Sequence, residues 1–215
     1  MGKVIADLAT SAASATFAVE NATSSVDYVL SGTDGSANDH LKTDGSGNLA
    51  WVAPAGGKIG QVLQVYKTDA YTLSTASTWT AITDLSLTIT PSAATSKVLV
   101  MANIFHSSDA SGGSLMFRFV RTSTAIGIAD AVGTPRLQTS FGSYIGDHST
   151  TAEVATDMSG NTFLDSPSTT SATTYTIEGY IAGSTQYVNR SIRDTDLAGY
   201  DPRSCSSFTL MEVLV

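Results

Sequence analysis

Leu85, Leu87 and Ile89 alternate with Ser86, Thr88 and Thr90, and Pro91 follows. A period of two marks a half-buried antiparallel strand, and proline ends it because it has no N–H for the ladder. The same pattern recurs along the chain. Gln61–Lys67, Thr78–Ile82 with Trp79 and Ala81 on one face, and Thr174–Ile181 all read as strands. Leu115–Arg121 sets Phe117 and Phe119 against Arg118 on the opposite face. Thr124–Ile128, Arg136–Ile145, Asn161–Leu164 and Gln186–Arg190 carry weaker strand signals. Two segments are apolar on both faces: Lys97–Phe105 (KVLVMANIF) and Ser207–Val215, whose one charge is Glu212. No window longer than a turn keeps a helical period. Many short strands separated by turn residues predict an all-β sandwich or barrel.

A strand that is apolar front and back needs cover on both sides. One sandwich supplies a single internal face, so the second face is expected to meet another copy of the chain. Val98, Val100, Leu210 and Val213 are the interface candidates from these two strands.

The first 58 residues have another texture. Residues 6–25 are small and rich in Ala, Ser and Thr, and are expected to order only against a partner. Thr33-Asp34-Gly35-Ser36 recurs ten residues on as Thr43-Asp44-Gly45-Ser46. Asp-Gly favours a tight turn, because glycine accepts positive φ and aspartate bonds its own backbone. Leu41–Thr43 against Asn48–Trp51 therefore reads as a β-hairpin. A lone hairpin is marginal in water. Three copies around an axis would bury Leu41, Leu49 and Trp51 together, which favours a homotrimer over a dimer. Pro54-Ala55-Gly56-Gly57 reads as a linker, giving a stem over 1–58 and a head over 59–215.

Composition narrows the function. Of 215 residues, 42% are apolar and 14% charged, with a formal net charge of −8. Ser and Thr fill roughly a quarter of the chain, against the usual balance of a soluble domain. Eleven Lys and Arg give no basic footprint for nucleic acid or for anionic lipid. No apolar run is long enough for a membrane span. Asp7 stands where a signal peptide needs its apolar stretch, so export is not expected, and Ala6 stands where a myristoylation signal wants Ser or Thr. A single cysteine, Cys205, excludes an intrachain disulfide and any Cys-based zinc site.

Several longer segments resemble a known family. HLKTDGSGNLAWVAPAGG followed by KIGQVLQVYKT is similar to the shaft-to-head junction of bacteriophage fibre-type structural proteins. DLSLTITPSAATSKVLVMANI, FLDSPSTTSATTYTI, QYVNR and SSFTLMEVLV resemble segments of their heads, in a style common among phages of marine bacteria and cyanobacteria. The resemblance covers roughly residues 40–105 and 161–215. It implies a trimeric β-structured fibre or appendage, with a jelly-roll head like that of tumour necrosis factor. It implies no ligand, because it fades over 106–160.

Catalysis is not expected. His106 and His148 could meet one of many Ser and Asp residues on paper, but no GxSxG elbow is present. Asp157, Asp165, Glu178, Asp194, Asp196 and Asp201 are candidate carboxylates for glycan cleavage, each more simply a solvated loop acid. Asp109, Asp147, His148 and Glu153 lack the spacing of a metal motif, and no cofactor is expected. Loops 106–113, 145–151, 156–161 and 193–204 are polar and turn-rich, with Asp109, Tyr144, His148 and Tyr200 as candidates for contact with a host-surface glycan or an outer-membrane receptor. Arg118, Arg121, Arg136, Arg190 and Arg193 could instead pair with Glu178, Asp194 or Glu212 of a second subunit. The chain is thus expected to be a virion structural protein made in the host cytoplasm. Its N-terminal segment would join other virion proteins and its head would serve host attachment, with a capsid decoration or a glycan-degrading tail spike as the alternatives.

Overall fold

The computed structural model describes residues 16–21, 24–30, 35–54, 57–108, 113–131, 133–145, 154–183, 185–197 and 199–215, and for 16–21, 24–30, 113, 144 and 145 the backbone alone. The chain divides into two compact units, residues 1–56 and 57–215.

The first unit holds a four-stranded sheet of β1 (Thr16–Asn21), β2 (Ser24–Leu30), β3 (His40–Thr43) and β4 (Asn48–Val52), in the order β1-β2-β4-β3. The expected hairpin is present: Leu41 pairs with Trp51 and Thr43 with Leu49. Asp44 builds its turn. Its carboxylate accepts from Ser46 N at 2.7 Å, Asn48 N at 3.1 Å and Asn48 Nδ2 at 2.6 Å, while Gly45 and Gly47 take positive φ. These bonds, that from the Asn48 side chain first, hold the Asp44 carboxyl below its ordinary range. At Gly35, with φ +70°, a Cβ would stand 2.7 Å from Trp51 Cγ, so both backbone conformation and space demand glycine there. Within the expected small-residue segment 6–25, residues 6–15, 22 and 23 lie outside the described residues; β1 and β2 pair antiparallel, Thr16 opposite Val29 through Asn21 opposite Ser24.

The second unit is an all-β sandwich. One sheet contains β5 (Ile59–Lys67), β15 (Ser206–Val213), β8 (Lys97–Ser108) and β12 (Asp157–Asp165) side by side, extended by β6 (Tyr71–Leu73) and β14 (Gln186–Val188). The other has the order β7 (Thr80–Ile89), β13 (Thr173–Ile181), β9 (Gly113–Arg121), with β10 (Thr124–Ile126) and β11 (Phe141–Ile145) both on the far edge of β9. Every pairing in this unit is antiparallel.

Between the sheets lies one core. Val98, Val100, Ala102 and Ile104 of β8 and Phe208 and Leu210 of β15 face Leu85 and Ile89 of β7, Phe117 and Phe119 of β9 and Tyr175 and Ile177 of β13. The Phe141 ring meets those of Phe117 and Phe119 with centroids 5.1 and 5.3 Å apart. Thr78–Ile82 and Leu85–Thr90 are one strand, not two. Asp84 at φ 64° makes a bulge, where Thr176 faces Ser86 but Glu178 already faces Ala81. Ile82 and Leu85 thereby both reach the core.

Several charged and phenolic groups inside the sandwich are paired. The Lys67 ammonium bonds Asp69 Oδ1 at 2.9 Å and lies 3.4 Å from Asp84 Oδ2. Tyr175 donates its hydroxyl to Asp165 Oδ2 at 2.6 Å, and Arg121 Nη1 reaches both oxygens of that carboxylate at 2.8 Å. Burial, reinforced by Asp165, raises the Tyr175 phenol well above its ordinary range.

Candidate interaction surfaces

The outward side of the first sheet carries a row of apolar side chains. On β8 and β15 the inward residues Val98, Val100 and Leu210 are completely buried in the chain's own core. They are therefore not available to a second copy, contrary to the expectation from sequence, which gave both faces of each strand the same weight. The outward positions are Leu99 and Met101 on β8 and Met211 and Val213 on β15, all half-buried. Of the four head positions expected at an interface, Val213 alone faces outward.

The strand register lines these outward residues up. Val62, Met211, Leu99 and Leu164 form one row across four strands. Val62 is 53% and Leu164 44% exposed. Ile59, Val213 and Lys97 flank that row on one side, and Gln64, Thr209, Met101 and Thr162 on the other. The next row is Tyr66, Ser207, Asn103 and Gly160. Lys97 is the single charge among these positions. Cross-strand apolar neighbours of this kind stabilise a sheet only modestly while water covers them.

In the first unit, Leu41 and Leu49 are half-buried and Trp51 is 37% exposed over Gly35.

A second surface is the excursion of residues 189–205, which interrupts one lane of the first sheet. β14 pairs with β8 at His106–Ser108, and β15 resumes that same edge of β8 from Asn103 onward. Asp201 organises the excursion. It accepts from Ser191 Oγ at 2.8 Å, Thr195 Oγ1 at 2.6 Å and Arg193 Nη2 at 2.8 Å. Arg193 first and Thr195 next hold its carboxyl down at about 2. Asp194 joins Arg190 at 3.2 Å to Arg203 at 2.8 Å, and the Arg190 guanidinium lies 3.8 Å over the Tyr187 ring. Tyr200 (61% exposed) and Leu197 (54%) project from this braced frame.

The other recognition candidates fall differently. Tyr144 belongs to β11, opposite Ser114, where the backbone alone is described. Asp109 and His148 lie outside the described residues. The segment 156–161 is mostly strand β12 and not a loop, and residues 106–108 end β8.

The charged groups answer two further expectations. Arg118–Glu178, Arg121–Asp165, Arg190–Asp194 and Arg193–Asp201 are pairs within one chain. Glu212 is taken by Gln61 and Ser92. His106 is fully buried, its Nε2 bonded to Ser159 Oγ at 2.9 Å and Ser143 Oγ at 3.2 Å, with no partner on Nδ1 among the described residues. A catalytic base needs an orienting group and access to substrate, and this imidazole has neither. Burial lowers its pKa to about 4, against a smaller upward pull from Asp157. Among the described residues, no three His, Cys, Asp or Glu side chains converge as a metal site, and no helix is long and apolar enough to cross a membrane.

A recess of about 490 Å³ opens on the outward side of the second sheet. Trp79, Arg118 and Ala125 line it together with Ile128, Thr134, Arg136, Leu137 and Gln138 from the connection between β10 and β11. The Arg118 guanidinium lies 4.3 Å over the Trp79 ring and bonds Glu178 Oε2 at 2.6 Å. Nothing in the linear sequence places Trp79 beside Arg136, since 57 positions separate them.

No family model and no curated protein matches the chain. Among solved structures, a chain from the structure of infectious bursal disease virus Gx strain is similar, with a TM-score of 0.38 and 12% identity over 77% of this chain and 44% of that one. This chain thus spans less than half the length of that viral chain.

Proposed function

We propose that the chain is a virion structural protein: a homotrimeric phage tail fibre or appendage whose second unit is a jelly-roll head involved in attachment to the host surface. The strand order supports the head assignment. β5-β15-β8-β12 against β7-β13-β9-β11, with successive strands other than β9 and β11 crossing between the sheets, matches the order expected of an eight-stranded jelly roll. A fold of this kind serves many functions, so the role must come from its surfaces.

The observation that carries the proposal is the row Val62, Met211, Leu99 and Leu164. A flat, nearly uncharged sheet face suits a second and third copy better than it suits water. Three heads meeting on this face about a three-fold axis would cover Leu99, Met101, Met211 and Val213. The residues of 1–58 would form a stem joined to other virion proteins, with Leu41, Leu49 and Trp51 towards its axis. The excursion at 189–205 would be repeated three times at the periphery, so that weak contacts to a glycan or outer-membrane receptor gain avidity. No part of this role calls on nucleic acid, a cofactor or membrane insertion.

Light scattering on the full chain tests it. The expected particle has three times the 22.3 kDa mass of one chain. Leu99→Lys combined with Met211→Lys should give monomers of unchanged circular dichroism. A wild-type monomer at micromolar concentration would overturn the proposal.

A further inference from the structure

The head keeps few cations, and all but one of its described arginines are spent. Among the described arginines, Arg118, Arg121, Arg190, Arg193 and Arg203 each pair with a carboxylate of their own chain. Arg136 has no hydrogen bond or ion pair among the described residues. It lines the recess described above, with Leu137, Thr134 and Gln138 of the same connection. The lining also includes the Trp79 indole with the Arg118 guanidinium over its face. A protein of net charge −8 thus places an unneutralised cation in a concave site that also carries an aromatic ring and aliphatic side chains.

We propose that this recess binds a carboxylate-bearing saccharide. Its size falls within the range of small-ligand sites, and its lining is the usual mixture of apolar wall and a few polar groups. Arg136 supplies the planar donor fork that fits a carboxylate with two parallel hydrogen bonds. Glu178 already takes Arg118, so Arg118 is a fixed wall and Arg136 the selecting charge. Trp79, Ile128 and Leu137 offer apolar surface to the C–H faces of a pyranose ring, and the Thr134 hydroxyl and Gln138 amide offer bonds to its hydroxyls. A bare small anion would use none of that apolar wall. A neutral sugar would leave Arg136 unanswered. The inference rests on the attachment reading and names the ligand class for it.

The chain has two tryptophans, Trp51 and Trp79, so Trp51→Phe leaves Trp79 as the one indole reporter. The full-length Trp51→Phe protein is titrated with a galacturonic acid tetramer, with the matching neutral galactose tetramer, and with sodium acetate at equal carboxylate concentration. The uronate should change Trp79 emission saturably. The neutral sugar should bind at least tenfold more weakly, and acetate should give no saturable change. Adding Arg136→Ala, an exposed position that needs no repacking, should weaken uronate binding about tenfold, and Arg136→Lys should recover only part of it. No saturable response to the uronate, equal binding of acetate or of the neutral sugar, or an unchanged affinity in Arg136→Ala would overturn the assignment. Light scattering on the wild-type protein separates this inference from the one it rests on: a wild-type trimer whose Trp79 reporter ignores the uronate sinks the ligand class alone, and a wild-type monomer beside a reporter that binds it sinks the trimer alone.

Discussion

Asn189 Oδ1 accepts a hydrogen bond from Ser206 Oγ at 2.6 Å, joining the two points where the 189–205 excursion leaves and re-enters the first sheet. The same Asn189 side chain donates to Lys67 O at 2.6 Å and Asp69 O at 3.0 Å, across the break between β5 and β6. Two adjacent lanes are interrupted at one level, and one amide closes both gaps. Asn189 sits at φ 65°, a region that Asn tolerates better than most residues. Ser206 in turn donates to no other group in this arrangement and receives Phe105 N at 3.0 Å. Asn189→Ala should therefore cost about 2–4 kcal/mol, from unanswered buried carbonyls and a left-handed backbone. Urea denaturation measures it. Asn189→Asp should be as harmful, because a carboxylate cannot donate to Lys67 O and Asp69 O. Equal stability of Asn189→Asp and wild type would remove this account of the excursion's base.

Leu210 and Leu99 lie on paired strands, with Leu210 in the core and Leu99 facing out. Their substitutions should separate folding from assembly. Leu210→Ala should destabilise the head by about 2–5 kcal/mol by leaving a cavity among Val100, Phe208 and their neighbours. It should leave the subunit count unchanged wherever the protein is folded. Leu99→Lys should do the reverse: a smaller loss of stability in the isolated head and a fall in particle mass. If Leu99→Lys preserves the native mass, the outer sheet face is not where copies meet.

Much of the sandwich is legible in the sequence, because period-two patterns with Pro and Gly punctuation are local. β5, β8, β9, β13 and β15 come within a few residues of their expected bounds. The Leu41–Trp51 hairpin follows from Asp44-Gly45 turn chemistry in the same way. What fails is what local pattern does not carry. β6 is three residues held by β14, and its sequence has no period to detect. The β7 bulge at Asp84 merges two apparent strands by shifting register against β13. The greasy strand Ser207–Val215 hides which side faces in. Phe208, Leu210 and Glu212 do, so the one charged residue shares the inward face with two core residues, where Gln61 and Ser92 answer its carboxylate. The recess at Trp79 and Arg136 and the Asn189 closure both join residues far apart in sequence, beyond the reach of any spacing rule.

Glu212 is almost fully buried and its carboxylate is fully used. Oε2 accepts from Gln61 Nε2 at 2.7 Å, and Oε1 from Ser92 N and Ser92 Oγ at 2.6 Å each. Gln61 first and Ser92 next hold its pKa at about 2, against an ordinary 4.5. A depressed carboxyl stabilises the fold above its unfolded pKa, and the contribution fades as pH falls from about 4.5 through about 2. Glu212→Gln should cost about 1.5–3 kcal/mol at pH 7, the loss of bonds to a charged acceptor. The gap between wild type and variant should close on acidification. A gap that stays constant between pH 6 and pH 2 would falsify the charged Glu212.

His106 adds a contribution of the same sign over a higher pH range. The imidazole is buried and neutral, with an ordinary pKa of 6.5 lowered to about 4 by loss of water. Below pH 6.5 the unfolded chain takes up a proton that the folded chain refuses until about pH 4. Stability must therefore fall as pH drops across that window, by roughly 3 kcal/mol in full. Ser159 and Ser143 bond Nε2, and among the described residues Nδ1 has no acceptor to welcome a second proton. Asp157 pulls the pKa upward, by less than burial lowers it. His106→Gln keeps a polar group for the two serines and has nothing to protonate. Its stability should be lower than wild type at pH 7, from imperfect packing against Phe117, whose ring lies 5.7 Å from the imidazole. It should lose less than wild type between pH 6.5 and pH 4, so the two denaturation curves converge or cross. Parallel curves over that range would mean that His106 is either protonated or solvated in the folded chain, and the buried neutral imidazole would have to be abandoned.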